Sequence, residues 1–174
     1  MNALDNLYSR KSVRSYTGEA ITEAQLHEIL KAAYAAPVGR ARYDTLHLTV
    51  ISNQDYLTKV EAAMAAAVGN PDLHPFYGAP TLILVSSTGP VMNVNYSNAA
   101  IVAHNMALAA TALGVGCCHI WGAVGALNGS EALLKELNLP EGMVPCCAVA
   151  LGKTEETYGL REIPANRIAT SRMD

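Results

Sequence analysis

Apolar residues recur along this chain in two rhythms. In "ITEAQLHEILKAAYAAP", Leu26, Ile29, Leu30, Ala33 and Tyr34 follow helical spacing. Thr22 and Gln25 stand at capping-box positions, Ile21 and Leu26 form a staple across the entry, and Pro37 stops the run. "TLHLTVIS" (45–52) alternates with β-branched residues and predicts a strand. Ser52 or Asn53 caps the helix that follows, with Leu57, Val60 and Met64 facing inward and Gly69 at its end. "TLILVSS" (81–87) is an unbroken apolar run, as expected of a strand covered on both faces. "CCHIWG" and "MVPCCAVALGK" (143–153) predict two more strands, and "GSEALLKELNLPEG" (129–142) a helix begun by Ser130. With a short helix over residues 2–9, the order is helix, helix, strand, helix, strand, helix, strand, helix, strand. That pattern predicts one α/β or α+β domain around a four-stranded sheet.

The remaining helix, over about Asn95 to Leu113, is free of charged residues and ends at Gly114 and Gly116. From Leu73 to Ser130 the chain has no Asp, Glu, Lys or Arg. The length of "AAIVAHNMALAATALGVGCC" raises a membrane span. Its alanines, its polar His104 and Asn105 and the lack of a basic flank argue instead for a helix inside the protein or at a subunit interface. The tail 154–174 has too few apolar residues to fold alone, so it lies across something else.

Composition narrows the chemistry. A chain of 174 residues suits one domain. The net charge of -3 and pI near 5.9 give no general attraction to nucleic acid or anionic lipid. No secretory or transit segment is recognisable, and Cys117-Cys118 and Cys146-Cys147 read as buried reduced thiols; both point to the cytoplasm. P-loop, dinucleotide-fingerprint, nucleophile-elbow and zincin motifs are all missing. Cys117, Cys118 and His119 are consecutive, and strand neighbours point to opposite faces, so no metal site is expected there.

What is left is "YSRKSVRSY" (8–16). Extended backbone puts Arg10, Ser12 and Arg14 on one side and Lys11 and Val13 on the other. Two guanidiniums flanking a hydroxyl suit a phosphate monoester, although a solvated charged loop would read the same way.

The stretch and the Thr-capped helix ending in "AAYAAP" resemble the opening of the FMN-dependent nitroreductase family. The resemblance continues through "YGAPTLILVSS", "NAAIVAHNMALAATALGVGCCHIWG", "LNLPEGMVPCCAVALGK" and "IPANRI". It implies an α+β fold of three α/β/α layers over residues 1–174, with a central mixed sheet and a buried central helix, in an intertwined homodimer. The tail would pack on the partner subunit or across the FMN site. By the same resemblance Arg10, Ser12 and Arg167 hold the FMN phosphate and ribityl chain, with Lys11 contributing through its backbone. Arg14 lies at the pyrimidine edge, where a cation stabilises the charge gained on reduction. Pro37, Val38 and Gly39 cover the flavin from the partner, and Ile120, Trp121 and Gly122 line its other side. "APVGRARYD" lacks the family's Ser and Asn, and Trp121 stands where many members have an acidic residue or glycine, either as core filling or against the flavin.

The activity so implied is ping-pong hydride transfer from NADH or NADPH, through FMN, to a nitroaromatic, quinone or similar electron-poor acceptor. No side chain serves as nucleophile, since the flavin carries the chemistry. The altered loop keeps in view a flavin-binding regulatory protein without turnover, and a structural dimer without cofactor is a third, plainer reading.

Overall fold

Asn2 opens the chain by accepting the Asp5 N–H, and helix α1 (Ala3–Ser9) follows in the computed structural model, which describes residues 2–88 and 92–173. Thr22 and Gln25 form the expected reciprocal capping box on α2 (Glu23–Tyr34). Strand β1 (Leu46–Ile51) leads to α3 (Gln54–Val68), capped by Asn53 and ended by Gly69 at φ 68. Then come β2 (Thr81–Ser87), α4 (Met92–Ala112), β3 (Gly116–Ile120), α5 (Gly122–Asn128), α6 (Glu131–Leu137) and β4 (Val144–Gly152).

The sheet runs β1-β2-β4-β3, and every position of β2 is buried. One layer packs α2 and α4 on Ile83, Val85, Cys147, Val149, Leu151 and Cys117. The other packs α3, α5 and α6 on Leu82, Leu84, Ala148, Ala150, Cys118 and Ile120. Three layers with an interior helix are therefore present as expected. Alternation also separates the two adjacent thiols, Cys117 to one layer and Cys118 to the other.

Two expectations need correcting. The sheet of this chain is antiparallel in all three of its pairings, not mixed. After α3 the chain runs back along that helix, with Phe76 N–H donating to Glu61 (3.1 Å), so β2 begins where β1 ended and Leu82 faces Ile51. Helices α5 and α6 likewise return the chain so that Ala148 faces Ile120. The second correction is α5 itself, which the pattern did not predict. "GAVGALN" holds two glycines, poor helix formers, and it is helical because Ala123, Val124 and Leu127 are buried with α3 and α6 against the sheet.

Helix α4 has two sides. Ala99, Val102, Ala103, Met106, Ala107 and Ala110 are buried against the sheet and α2, whereas Val94, Tyr96 and Ile101 are exposed. Among the described helices none is long and apolar enough to cross a membrane.

Candidate cofactor site

Strand β3 is an edge strand, and the segment after α1 runs beside it. Val13 N–H donates to Cys117 O (2.8 Å), and the Val13 side chain is wholly buried. This single anchor presents the flanking polar residues to the strand. Burial pushes the Cys118 thiol up, opposed by the charge of Arg14, hydrogen bonding with Ser12 and the charge of Arg10. Arg10, Ser12 and Arg14 thus flank the anchored Val13 beside β3.

Beside them is a column of rings. His104 of α4 stacks on His119 of β3 at 5.8 Å between centroids, and His119 on Trp121 at 6.5 Å with planes 5° apart. Burial, then Arg10 and then His104 lower His119 to about 4. Burial and Arg10 lower His104 as well. Both imidazoles are therefore neutral near pH 7, and the positive charge of the site resides on its arginines. Trp121 is 50 % exposed, so it is not core filling.

Lys11 behaves differently from its neighbours. Its Nζ pairs with Glu156 Oε2 at 2.7 Å, while Glu156 Oε1 accepts the Arg14 N–H at 3.1 Å. Lys11 foremost, and then the Arg14 N–H, hold the Glu156 carboxyl below its ordinary value. The Arg14 guanidinium lies over the Tyr77 ring, 5.7 Å from its centroid.

The C-terminal segment crosses this region within the same chain. Tyr158 OH donates to Val115 O at 2.8 Å, and Arg161 Nε donates to Tyr8 O at 3.0 Å. Arg161 also donates to Arg10 O through Nη2. Arg167 lies farther on, in an exposed turn where its N–H donates to Pro164 O (3.3 Å). No contact brings its side chain to Arg10 or Ser12 among the described residues.

Pro37, Val38 and Gly39 also lie apart from the basic motif. Gly39 N–H donates to Asn98 Oδ1 (3.0 Å), which ties the loop to the N-terminal half of α4. The motif is tied to the other half, through His104 and through Asn6 Nδ2 donating to Leu108 O (3.0 Å). Ten residues of helix separate Asn98 from Leu108, about 15 Å along the axis. Ile120 is buried in the layer of α3, α5 and α6, and Gly122 starts α5 where a Cβ would stand 2.9 Å from Met64 Cε. Of the predicted residues, then, Arg10, Ser12, Arg14 and Trp121 gather along β3, whereas 37–39 and Arg167 do not join them within one chain.

Sequence reasoning missed Tyr77, His104, His119, Glu156 and Arg161. None has a local signal, because each reaches the motif from a distant element.

The donor set fits an anionic ligand. Arg10 and Arg14 pair with no carboxylate among the described residues, and the nearby carboxylate of Glu156 is taken by Lys11. Guanidinium forks with a hydroxyl between them match a phosphate monoester such as that of a flavin mononucleotide. A cavity of about 570 Å³ behind the segment, lined by Ser15, Tyr16, Thr17, Glu155 and Glu156, has the opposite charge and suits no phosphate.

Known proteins share this fold. A nitroreductase with bound FMN from Bacteroides fragilis superimposes with a TM-score of 0.83 at 29 % identity, covering 99 % of this chain and 100 % of that one. Another, from Desulfitobacterium hafniense and also with bound FMN, gives 0.85 at 26 % identity and the same coverage. A protein of Methanothermobacter thermautotrophicus, provisionally named NADH dehydrogenase/NAD(P)H nitroreductase, is 28 % identical over 172 residues, which is 94 % of this chain and 83 % of that protein. The family model described as the nitroreductase family matches residues 7–153, and the chain belongs to that family.

Proposed function

We propose that this protein is an FMN-dependent oxidoreductase that uses NADH or NADPH to reduce electron-poor acceptors, of the nitroaromatic and quinone kind. Membership of the family and two FMN-bound neighbours support the cofactor, and the name of the archaeal relative supports the donor. The observation that carries the reading is the anchoring of the Arg10–Arg14 segment beside β3 through Val13, with both guanidiniums unclaimed by carboxylates among the described residues.

In this reading Arg10 and Ser12 bind the phosphate. Arg14 faces the pyrimidine edge of the ring system, and Lys11, held by Glu156, contributes through its backbone. Ile120, Trp121 and Gly122 form one wall. Bound FMN supplies hydride acceptance and donation at N5; the protein binds, orients and sets charge. Pro37, Val38 and Gly39 close the site from the partner subunit of a homodimer, which their distance from the motif within one chain supports. Arg167 completes the phosphate contacts in that assembly. All four cysteines are free thiols, which supports a cytoplasmic setting.

The test is an FMN titration followed by anaerobic NADH or NADPH and then menadione or nitrofurazone. The wild type is expected to take up FMN at micromolar concentration, bleach with the donor and turn over with the acceptor. Arg10→Ala, which loses charge-assisted bonds of about 1.5–3 kcal/mol, is expected to raise the FMN dissociation constant roughly ten- to hundredfold. A protein that stays colourless with FMN overturns the reading. A second reading, flavin binding without turnover, is motivated by the loop after Pro37, "APVGRARYD", which lacks the family's Ser and Asn. Bound flavin that neither nicotinamide bleaches decides for it.

A further inference from the structure

We propose that Tyr77 is a positioning residue for Arg14, holding its guanidinium in place before the flavin arrives; this rests on the reading of Arg14 as the cation at the flavin ring. Tyr77 has φ 56, a backbone conformation unfavourable for a bulky residue, which persists only where its surroundings fix it. The surroundings do fix it. Tyr77 N–H donates to His74 O (3.0 Å), Ala79 N–H to Phe76 O (2.9 Å) and Phe76 N–H to Glu61 Oε1 (3.1 Å), with the Phe76 ring buried in the core.

The consequence of that strained turn is that the Tyr77 ring leaves the core, 37 % exposed, and lies beneath the Arg14 guanidinium. Arg14 is then held at both ends, its N–H by Glu156 and its guanidinium by the ring. A free arginine side chain samples many rotamers, and an exposed cation–π contact offsets part of the entropy lost when they are ordered. Ordering Arg14 in advance removes part of that loss from the binding step, which is how preorganisation increases affinity. It also keeps the cation where negative charge develops instead of sweeping through solvent.

Two readouts test this. In apoprotein labelled with 15N, the Arg14 Nε–Hε resonance is expected to be slow-exchanging in wild type and Tyr77→Phe and lost in Tyr77→Leu. Tyr77→Gly, which suits the left-handed backbone and so retains the fold, is expected to lose it too. In FMN-loaded protein, Tyr77→Leu is expected to weaken reduced relative to oxidised FMN about fivefold, a midpoint drop of about 20 mV for two electrons. Arg14→Ala shifts it at least as far, and the double variant no further than Arg14→Ala. If Arg14→Ala moves the potential but Tyr77→Leu and Tyr77→Gly move neither the resonance nor the potential, the role of Tyr77 is overturned while that of Arg14 stands. If Arg14→Ala leaves the potential unchanged, the reading of Arg14 itself fails and the proposal with it.

Discussion

His119 is the residue whose chemistry the fold changes most visibly within the site. Its ordinary value of 6.5 falls to about 4, first through burial and then through Arg10 and His104. The sign follows from which state takes up the proton. Between about 6.5 and 4 the unfolded chain protonates and the folded chain does not, so the contribution of His119 is fully present above 6.5 and is lost as pH falls towards 4. Allowing for the partial exposure of the ring, the loss is about 2 kcal/mol. Urea unfolding of the apoprotein at pH 7 and pH 4.5 measures it, and His119→Gln is expected to narrow the difference between the two by that amount. Arg10→Ala is expected to raise the His119 pKa, read from its ring protons by NMR, because it removes a nearby positive charge.

Among the elements, the end of β4 carries the strictest steric demand. A Cβ on Gly152 would lie 2.6 Å from Pro80 Cδ and 3.0 Å from Tyr16 Cδ1. Neither neighbour has room to retreat: Tyr16 OH is bonded to Ala150 O (3.3 Å), and Pro80 is itself buried at the start of β2. Overpacking of this kind costs about 1–3 kcal/mol, so Gly152→Ala is expected to lower the thermal midpoint by roughly 3–10 °C. It is also expected to weaken FMN uptake, because Thr154 OH donates to Ser15 O (2.7 Å) and Glu156 holds Arg14 just beyond the displaced strand. Gly159→Ala is the control, with nothing within 4 Å of the added methyl, and its midpoint should be unchanged.

For the whole molecule, the uncovered apolar surface is the feature to explain. Leu4, Leu7 and Tyr8 on α1, Val94, Tyr96 and Ile101 on α4, and Leu160 and Ile168 in the tail are all exposed in the single chain. Apolar surface on this scale marks an interaction site. In the proposed homodimer, the loop 37–39 of one subunit would close the site of the other. Sedimentation at micromolar concentration is expected to give the mass of two chains. Ile101→Glu, which buries a carboxylate in such an interface, is expected to shift the mass towards one chain and to weaken FMN binding in parallel. Dissociation with undiminished FMN affinity would separate the assembly from the site.

Much of this was legible in the chain before any coordinates. Periodicity and caps determined α2, α3, α6 and the four strands, because those signals act within a few residues of one another. The continuous apolar run of β2 fixed its burial on both faces, and the spacing of Arg10, Ser12 and Arg14 made a phosphate site one of two readings of that stretch, a solvated loop being the other. Only the tertiary structure decided that the sheet is antiparallel, since a long return loop reverses β2 without leaving a mark on strand periodicity. It alone made a helix of "GAVGALN", where burial overrides two glycines. It alone brought His104, His119, Tyr77, Glu156 and Arg161 to the basic motif, and thereby divided the cations of "YSRKSVRSY". Lys11 is claimed by a carboxylate 145 residues away in sequence, while Arg10 and Arg14 remain unpaired and charged among the described residues. Contacts between residues so far apart are set by packing of layers, and no local pattern encodes them.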